Sequence, residues 1–272
     1  MTDLRPSPIA GQWYPGDLAQ LTKTVDAFLA AAPPVAIPGP LVGVVAPHAG
    51  HLYSGAVAAH AFKAVSGMGV DTVAILCPSH FHADGPLLTT AHEAYATPLG
   101  SVPVNREAMQ ALREACPVPI AAIRRDREHA LEIELPFLQR VLSAFTLIPV
   151  MIRDQTAPVI EALARALAAA VTGRRALLVA SSDLSHFYPQ SVAALLDSYM
   201  LEQIERFDPA GVLEAEDEGK GFACGKGAIA AVLLAAKQLG ATQTRVIKHA
   251  TSGDVTRDFS SVVGYGAAVI WK

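Results

Sequence analysis

Leu41–Gly55 reads LVGVVAPHAGHLYSG. Its first six residues, Leu41–Ala46, are apolar or glycine without interruption, the pattern of a strand buried on both faces. Pro47 ends the run, His48 and His51 follow among glycines, and helical spacing then sets in over Gly55–Val65. A buried strand that stops at a proline, delivers an imidazole and turns into a helix is a βα unit, and comparable units recur along the chain. Further apolar strand candidates are Thr72–Cys77, Phe145–Ile152, Ala176–Ser181, Arg245–Ala250 and Val262–Ile270. Helical patterns lie over Asn105–Ala115, Glu132–Ser143, Pro158–Val171, Ser191–Arg206 and Gly227–Leu239, with Gly240 placed to end the last of these. Strands alternating with helices specify a single three-layer α/β domain, its largely parallel sheet covered on both faces. The last two strands are joined by a short connection and are expected to pair antiparallel, which makes the sheet mixed.

The first forty residues form an arm. Leu18, Leu21, Val25, Phe28 and Leu29 keep helical spacing behind a candidate N-cap, Asp17. The proline-rich stretch Ala31–Pro40 then carries the arm into the domain rather than separating two domains. Residues 1–272 are therefore read as one domain with residues 1–40 packed on it. The sequence contains no internal repeat and no low-complexity segment.

Composition narrows the function. The chain has 272 residues, 51% of them apolar and 17% charged, with a formal net charge of −4. It is long and apolar enough to bury a large core, and it carries no basic tract that would mark a nucleic-acid partner. Its most apolar long window, Val159–Ala180, is broken by Glu161, Arg165, Gly173, Arg174 and Arg175, so no membrane span is expected. The N-terminal residues show no apolar signal region. With only three cysteines, Cys77, Cys116 and Cys224, a reducing, cytoplasmic setting is expected rather than a disulfide framework. Neither a complete P-loop nor a G-x-S-x-G elbow is present.

The polar residues fall where the strands end. VGVVAPH delivers His48, VAILCPSHFH delivers His80 and His82, and ALLVASSDLSH delivers Ser181, Ser182, Asp183 and His186. Ligands of open α/β sheets bind beyond the carboxyl ends of the strands, so three such ends carrying His or Asp point to one cleft. Cys224, between glycines just before an apolar helix, is expected to have its thiol pKa lowered by the helix terminus and to serve as a nucleophile or metal ligand. Its alternative is a small buried packing residue, the role expected of Cys77 and Cys116. Asp126, Glu128 and His129 stand just before a helix. The acids there can simply complement the helix dipole, while His129 can face the same cleft. Asp183 and His186 would share a face only on a helical turn; otherwise they read as a turn cap and a surface imidazole. His51, His60, His92 and His249 occupy no such strand end and are read as packing or surface residues, with His51 a neighbour of the cleft and Tyr53 a residue on its border.

Seven short runs occur in order: APHAGHLYSG, PSHFH, EHALEIELPFLQ, TLIPVMI, SSDLSH, FACGKG and SSVVGYGAAVI. Together, and from RPSPIAGQWYPGD onward, they closely resemble the Memo family, whose prokaryotic members are called AmmeMemoRadiSam system protein B. The resemblance implies the fold of the class III (LigB-type) extradiol dioxygenases, which use non-haem Fe(II). It also implies a metal site of His48, His80 and Cys224, with Asp183 and His186 lining the same cleft. In animal members a cysteine-glycine-arginine-histidine run is usual where this chain has ACGKG, a change beside the ligand and not of it. Two imidazoles and one anionic donor suit non-haem iron, with copper or zinc as other candidates, and a thiolate in place of a carboxylate makes the site softer. On this reading His186 moves protons, with Asp183 or another acceptor fixing its tautomer, and His82 and His129 stand behind the ligands. The expected activity is a dioxygenase-like oxidation of an unknown small substrate, with a non-catalytic binding module and a zinc hydrolase as alternatives. The family name further implies a radical-SAM protein and an AMMECR-type protein as pathway partners.

Overall fold

The computed structural model describes residues 2–272, so the arm expected over residues 1–40 is described from Thr2 onward and Met1 lies outside it. In chain order the elements are β1 (Leu4–Arg5), α1 (Leu18–Ala31), β2 (Leu41–Ala46), α2 (His51–Val65), β3 (Thr72–Pro78), β4 (Leu87–Thr90), β5 (Ala94–Thr97), β6 (Gly100–Pro103), α3 (Arg106–Ala115) and β7 (Ile120–Ile123). A 3-10 turn, Glu132–Glu134, leads into α4 (Leu135–Val141). There follow β8 (Thr146–Ile152), α5 (Ala157–Val171), β9 (Ala176–Ser181), β10 (His186–Tyr188), α6 (Gln190–Glu205), α7 (Pro209–Glu214), α8 (Lys226–Gln238), β11 (Gln243–Thr251), α9 (Gly253–Thr256) and β12 (Val262–Trp271).

Nine strands form the main sheet, in the order β10-β12-β2-β9-β3-β8-β4-β7, with β11 also pairing β12. The centre, β2-β9-β3-β8, is parallel. Both flanks turn antiparallel, where β12 meets β2 and where β4 meets β8, and β11 pairs antiparallel with β12 as its short connection required. A small sheet, β1-β5-β6, stands apart. The central strands alternate between two apolar layers. Leu178 and Ala180 of β9 face one layer with α3, α5, α7 and α8, whereas Leu177 and Val179 face the other with α1, α2 and α4. That alternation is the period-two pleat of a strand covered on both sides.

Local signals account for the element ends. The Asp17 carboxylate accepts the Gln20 N–H at 2.9 Å and caps α1. Gly240, at φ +89°, closes α8 with Gly240 N donating to Lys237 O and Ala241 N donating to Ala236 O, the paired bonds of a Schellman stop. The helix expected over Glu132–Ser143 is divided because Pro136 has no N–H to donate to Glu132; its first turn is tight and 3-10, and the α-helix ends at Val141. α2 begins at His51, four residues earlier than its spacing indicated, so His51 heads a helix and is buried. No helix among the described residues is long and apolar enough to cross a membrane.

A candidate metal centre at the strand ends

β2, β9 and β3 are neighbours and run parallel, so the residues just past their carboxyl ends converge. His48 lies two residues beyond β2, His80 two beyond β3, and Ser181–Asp183 at the end of β9. Cys224 arrives from the loop before α8, where its N–H donates to Asp183 O at 3.2 Å and its carbonyl accepts Gln155 Nε2 at 2.9 Å. One donor atom from each of His48, His80 and Cys224 lies within 4.8 Å of the others.

The hydrogen bonds behind these side chains decide which atoms face inward. Ser181 Oγ donates its one proton to Ala130 O at 2.5 Å, so at 3.0 Å it accepts from His48 Nδ1–H. His48 Nε2 is then unprotonated, 3.1 Å from Cys224 Sγ. His80 Nδ1 donates to Glu128 Oε1 at 2.9 Å, and the His80 backbone N–H donates to Glu128 Oε2 at 2.6 Å, which leaves Nε2 as its free ring nitrogen. Orientation of imidazoles by outer carboxylate and hydroxyl groups is the arrangement metal-binding histidines require.

Electrostatics agree with this donor set. Burial, reinforced by His80, pushes His48 down to about 3, so its ring is neutral at neutral pH and offers a lone pair. Glu128 is buried, which would raise its pKa, but the hydrogen bond and charge of His80 hold it at about 2. The thiol of Cys224 departs from the sequence expectation. Burial, followed by the nearby Asp183 carboxylate, pushes it above its ordinary value. The residue precedes the Gly225 cap of α8, so the helix terminus does not outweigh desolvation, and without a cation the group is a neutral thiol whose S–H can donate to His48 Nε2. Two imidazoles oriented from behind and a thiol that loses its proton on ligation fit a borderline or soft transition metal and not magnesium or calcium.

The remaining predicted residues divide. Asp183 is buried and lines the cleft, but its Oδ1 accepts the His48 and Ala49 N–H groups at 2.7 and 3.2 Å. It therefore braces the His48 turn and does not orient His186. The acceptor that fixes the His186 tautomer is Leu184 O, 2.7 Å from Nδ1. No helical turn joins Asp183 to His186; the segment is extended because Leu184 N donates to Gly264 O and Gly264 N donates to Ser185 O along β12. His186 still lines the cleft, its ring between the edges of Phe187 and Phe222. His129 joins the group: its ring lies 4.6 Å from His80 and 5.6 Å from His48, with Trp13 tilted against it at 4.2 Å. Burial, followed by His48, lowers it to about 3. His82 does not stand behind the ligands. It is exposed on the loop after β3, where its Nδ1 accepts from Arg153 Nη2 at 3.2 Å. The cleft holds about 670 Å³ and is walled by Trp13, Tyr53, Phe187 and Tyr265 beside these polar groups.

Three contributors escaped the sequence reading. Glu128 was legible only as an acid near a helix, Ser181 only as a strand-end serine, and Trp13 not at all. The presence of Glu128 and His129 side by side in EHALEIELP was the available signal.

Parallel strands that bring two histidines to one polar-and-aromatic cleft, with a cysteine set beside them by the loop before α8, define a candidate metalloprotein of the α/β class. The chain belongs to the Memo family: the model for Memo-like proteins matches residues 5–269. It is 37% identical to a MEMO1 family protein of Methanopyrus kandleri, over 97% of this chain and 98% of that one. It is 34% identical to a MEMO1 family protein of Nitrosopumilus maritimus over the same shares, and 36% identical to one of Thermotoga neapolitana over 98% of this chain and 99% of the relative.

Proposed function

We propose that this Memo family chain is a metal-dependent redox enzyme acting on a small substrate, with His48, His80 and Cys224 holding one ion. Fe(II) is the expected metal, and copper and zinc are the other candidates. The observation that supports this reading is the convergence of three donor atoms within 4.8 Å of one another, two of them on imidazoles oriented from behind. A bound iron would supply open coordination positions and one-electron chemistry.

The chain's own groups have definable tasks. His48 and His80 enter as neutral donors, and Cys224 gives up its thiol proton on ligation. His186, with Nδ1 committed to Leu184 O, presents Nε2 to accept or return a proton at a substrate hydroxyl in the cleft. Trp13, Tyr53 and Tyr265 offer flat apolar walls that limit water around the reacting group. Asp183 keeps the His48 turn in place through two backbone N–H groups.

The test is metal analysis by mass spectrometry of protein purified without oxygen, beside His48→Ala and Cys224→Ser, followed by oxygen consumption with candidate substrates. Near-stoichiometric iron or copper in the wild type and its loss in both variants are expected. A wild type that takes up no Fe(II), Cu(I) or Zn(II) would remove the reading. The second reading, a binding module without turnover, is favoured by the exposed Tyr53 and Phe187 at the mouth of the cleft. It requires Cys224→Ser to leave ligand binding unchanged.

A further inference from the structure

Arg5 is the largest fully buried side chain among the described residues. Its guanidinium does not face solvent, substrate or a helix terminus. It sits under residues 124–131, a stretch with no helix or strand of its own. Nε donates to Asp126 Oδ2 at 2.6 Å, and Nη2 donates to Asp126 Oδ1 at 3.2 Å and to Glu128 O at 2.5 Å. Nη1 donates to Glu132 Oε2. The ring of Tyr95 lies against the guanidinium, 4.8 Å from its centre.

The same loop carries Glu128. Its N–H donates to Asp126 Oδ1 at 2.9 Å, and its carbonyl is held by Arg5. Both main-chain ends of Glu128 are thus fixed by one buried ion pair. From that anchor its carboxylate accepts the Nδ1–H and the backbone N–H of His80, and the Ala130 N–H at 2.9 Å. A path of hydrogen bonds, all at or below 3.2 Å, leads from the second residue of β1 to a metal-donor imidazole at the end of β3. A planar five-donor fork can hold a carboxylate on two edges and a carbonyl at once, and a lysine ammonium cannot.

We propose that Arg5 is a positioning residue for the metal centre: through Asp126 and the main chain of Glu128 it keeps the His80 ring in its Nδ1–H form, with Nε2 presented to the cleft. The proposal rests on the reading of His80 as a metal donor. It makes the N-terminal arm part of the site and not merely packing upon it.

The test uses Arg5→Lys and, because replacing a fully buried arginine puts the fold itself at stake, Asp126→Asn as a second variant that weakens the same clamp from its other side. Each is made in the full chain, stripped of metal with a chelator, and checked for folding by circular dichroism and thermal melting. Two-bond ¹⁵N–¹H correlation spectra in mildly alkaline buffer report the tautomer of each histidine. The expected result is a wild type with His80 as Nδ1–H, and folded variants in which His80 becomes a mixture while His48, held by Ser181, is unchanged. Zinc affinity, read by competition with a chromophoric chelator, should fall by about 10–100-fold. Folded variants with an unaltered His80 tautomer and unaltered zinc affinity would overturn the proposal. If the wild type itself takes up neither zinc nor, without oxygen, Fe(II) or Cu(I), the metal reading fails separately, and the His80 spectrum alone decides the role of Arg5.

Discussion

Replacing Asp183 with asparagine should stabilise the metal-free protein at neutral pH and change little in acid. The carboxyl is buried, and burial pushes it from 3.8 up to about 6 despite the two N–H groups that Oδ1 accepts. A folded-state value above the unfolded one means that the native state binds more protons between the two, so stability falls as pH rises through that window. Roughly two pH units correspond to about 3 kcal/mol of destabilisation, fully expressed above the folded value and absent below the unfolded one. Asparagine keeps an oxygen for the His48 and Ala49 amides and carries no charge. Urea unfolding with a chelator present should therefore show Asp183→Asn more stable than wild type by up to about 3 kcal/mol near pH 7.5, with the difference shrinking towards zero near pH 4. A variant less stable than wild type at neutral pH, or a difference that does not vary with pH, would refute the argument that the carboxylate is retained at a cost to the fold.

Ser181→Ala removes both the acceptor of His48 Nδ1–H and the donor to Ala130 O; a loss of about 1–3 kcal/mol in urea unfolding is expected, together with weaker zinc binding in a chelator competition. Gly264→Ala would place its Cβ 2.0 Å from Asp197 Oδ2, a fully buried carboxylate that also accepts Ser185 N–H at 2.9 Å. It should cost about 1–3 kcal/mol or more, and a thermal melt unchanged from wild type would contradict that packing. Phe187 holds φ +62° while 74% exposed, so Phe187→Gly relieves backbone strain with little loss of burial. It is expected to raise stability by a few tenths to about 1 kcal/mol, measured by the shift in Tm.

The strands that build the site were the most legible part of the sequence. β2, β3 and β9 are uninterrupted apolar runs because both faces of the sheet are covered, and each was bounded to within a residue. β1, β4, β5, β6, β7 and β10 were missed. They are two to four residues long, too short for a period to register, and tertiary pairing alone defines them. The convergence of His48, His80 and Asp183 followed from the rule that parallel strands end on one side, whereas Cys224, on the loop before α8, was joined to them only by the family resemblance. What stood behind them did not follow from that rule. Glu128 meets His80 across 48 residues of chain and Arg5 meets Asp126 across 121, and no local pattern encodes such pairs. His82 is two residues from a ligand in sequence but not beside it in space, because the loop after β3 turns it outward to Arg153. For Cys224 the place before a helix was legible, but the burial that governs its acidity was not.

The contact of Trp13 with His129 has an optical consequence. The chain holds two tryptophans. The other, Trp271, is the last residue of β12, under the Arg245 guanidinium. One indole is thus a rim residue of the cleft, a single ring removed from His80, and the second serves as an internal reference that Trp271→Phe would silence. Arrival of a paramagnetic ion or of an aromatic ligand should quench the Trp13 emission, whereas zinc, which is diamagnetic and does not absorb light, should at most shift it. The protein carries its own fluorescent indicator for what enters the site.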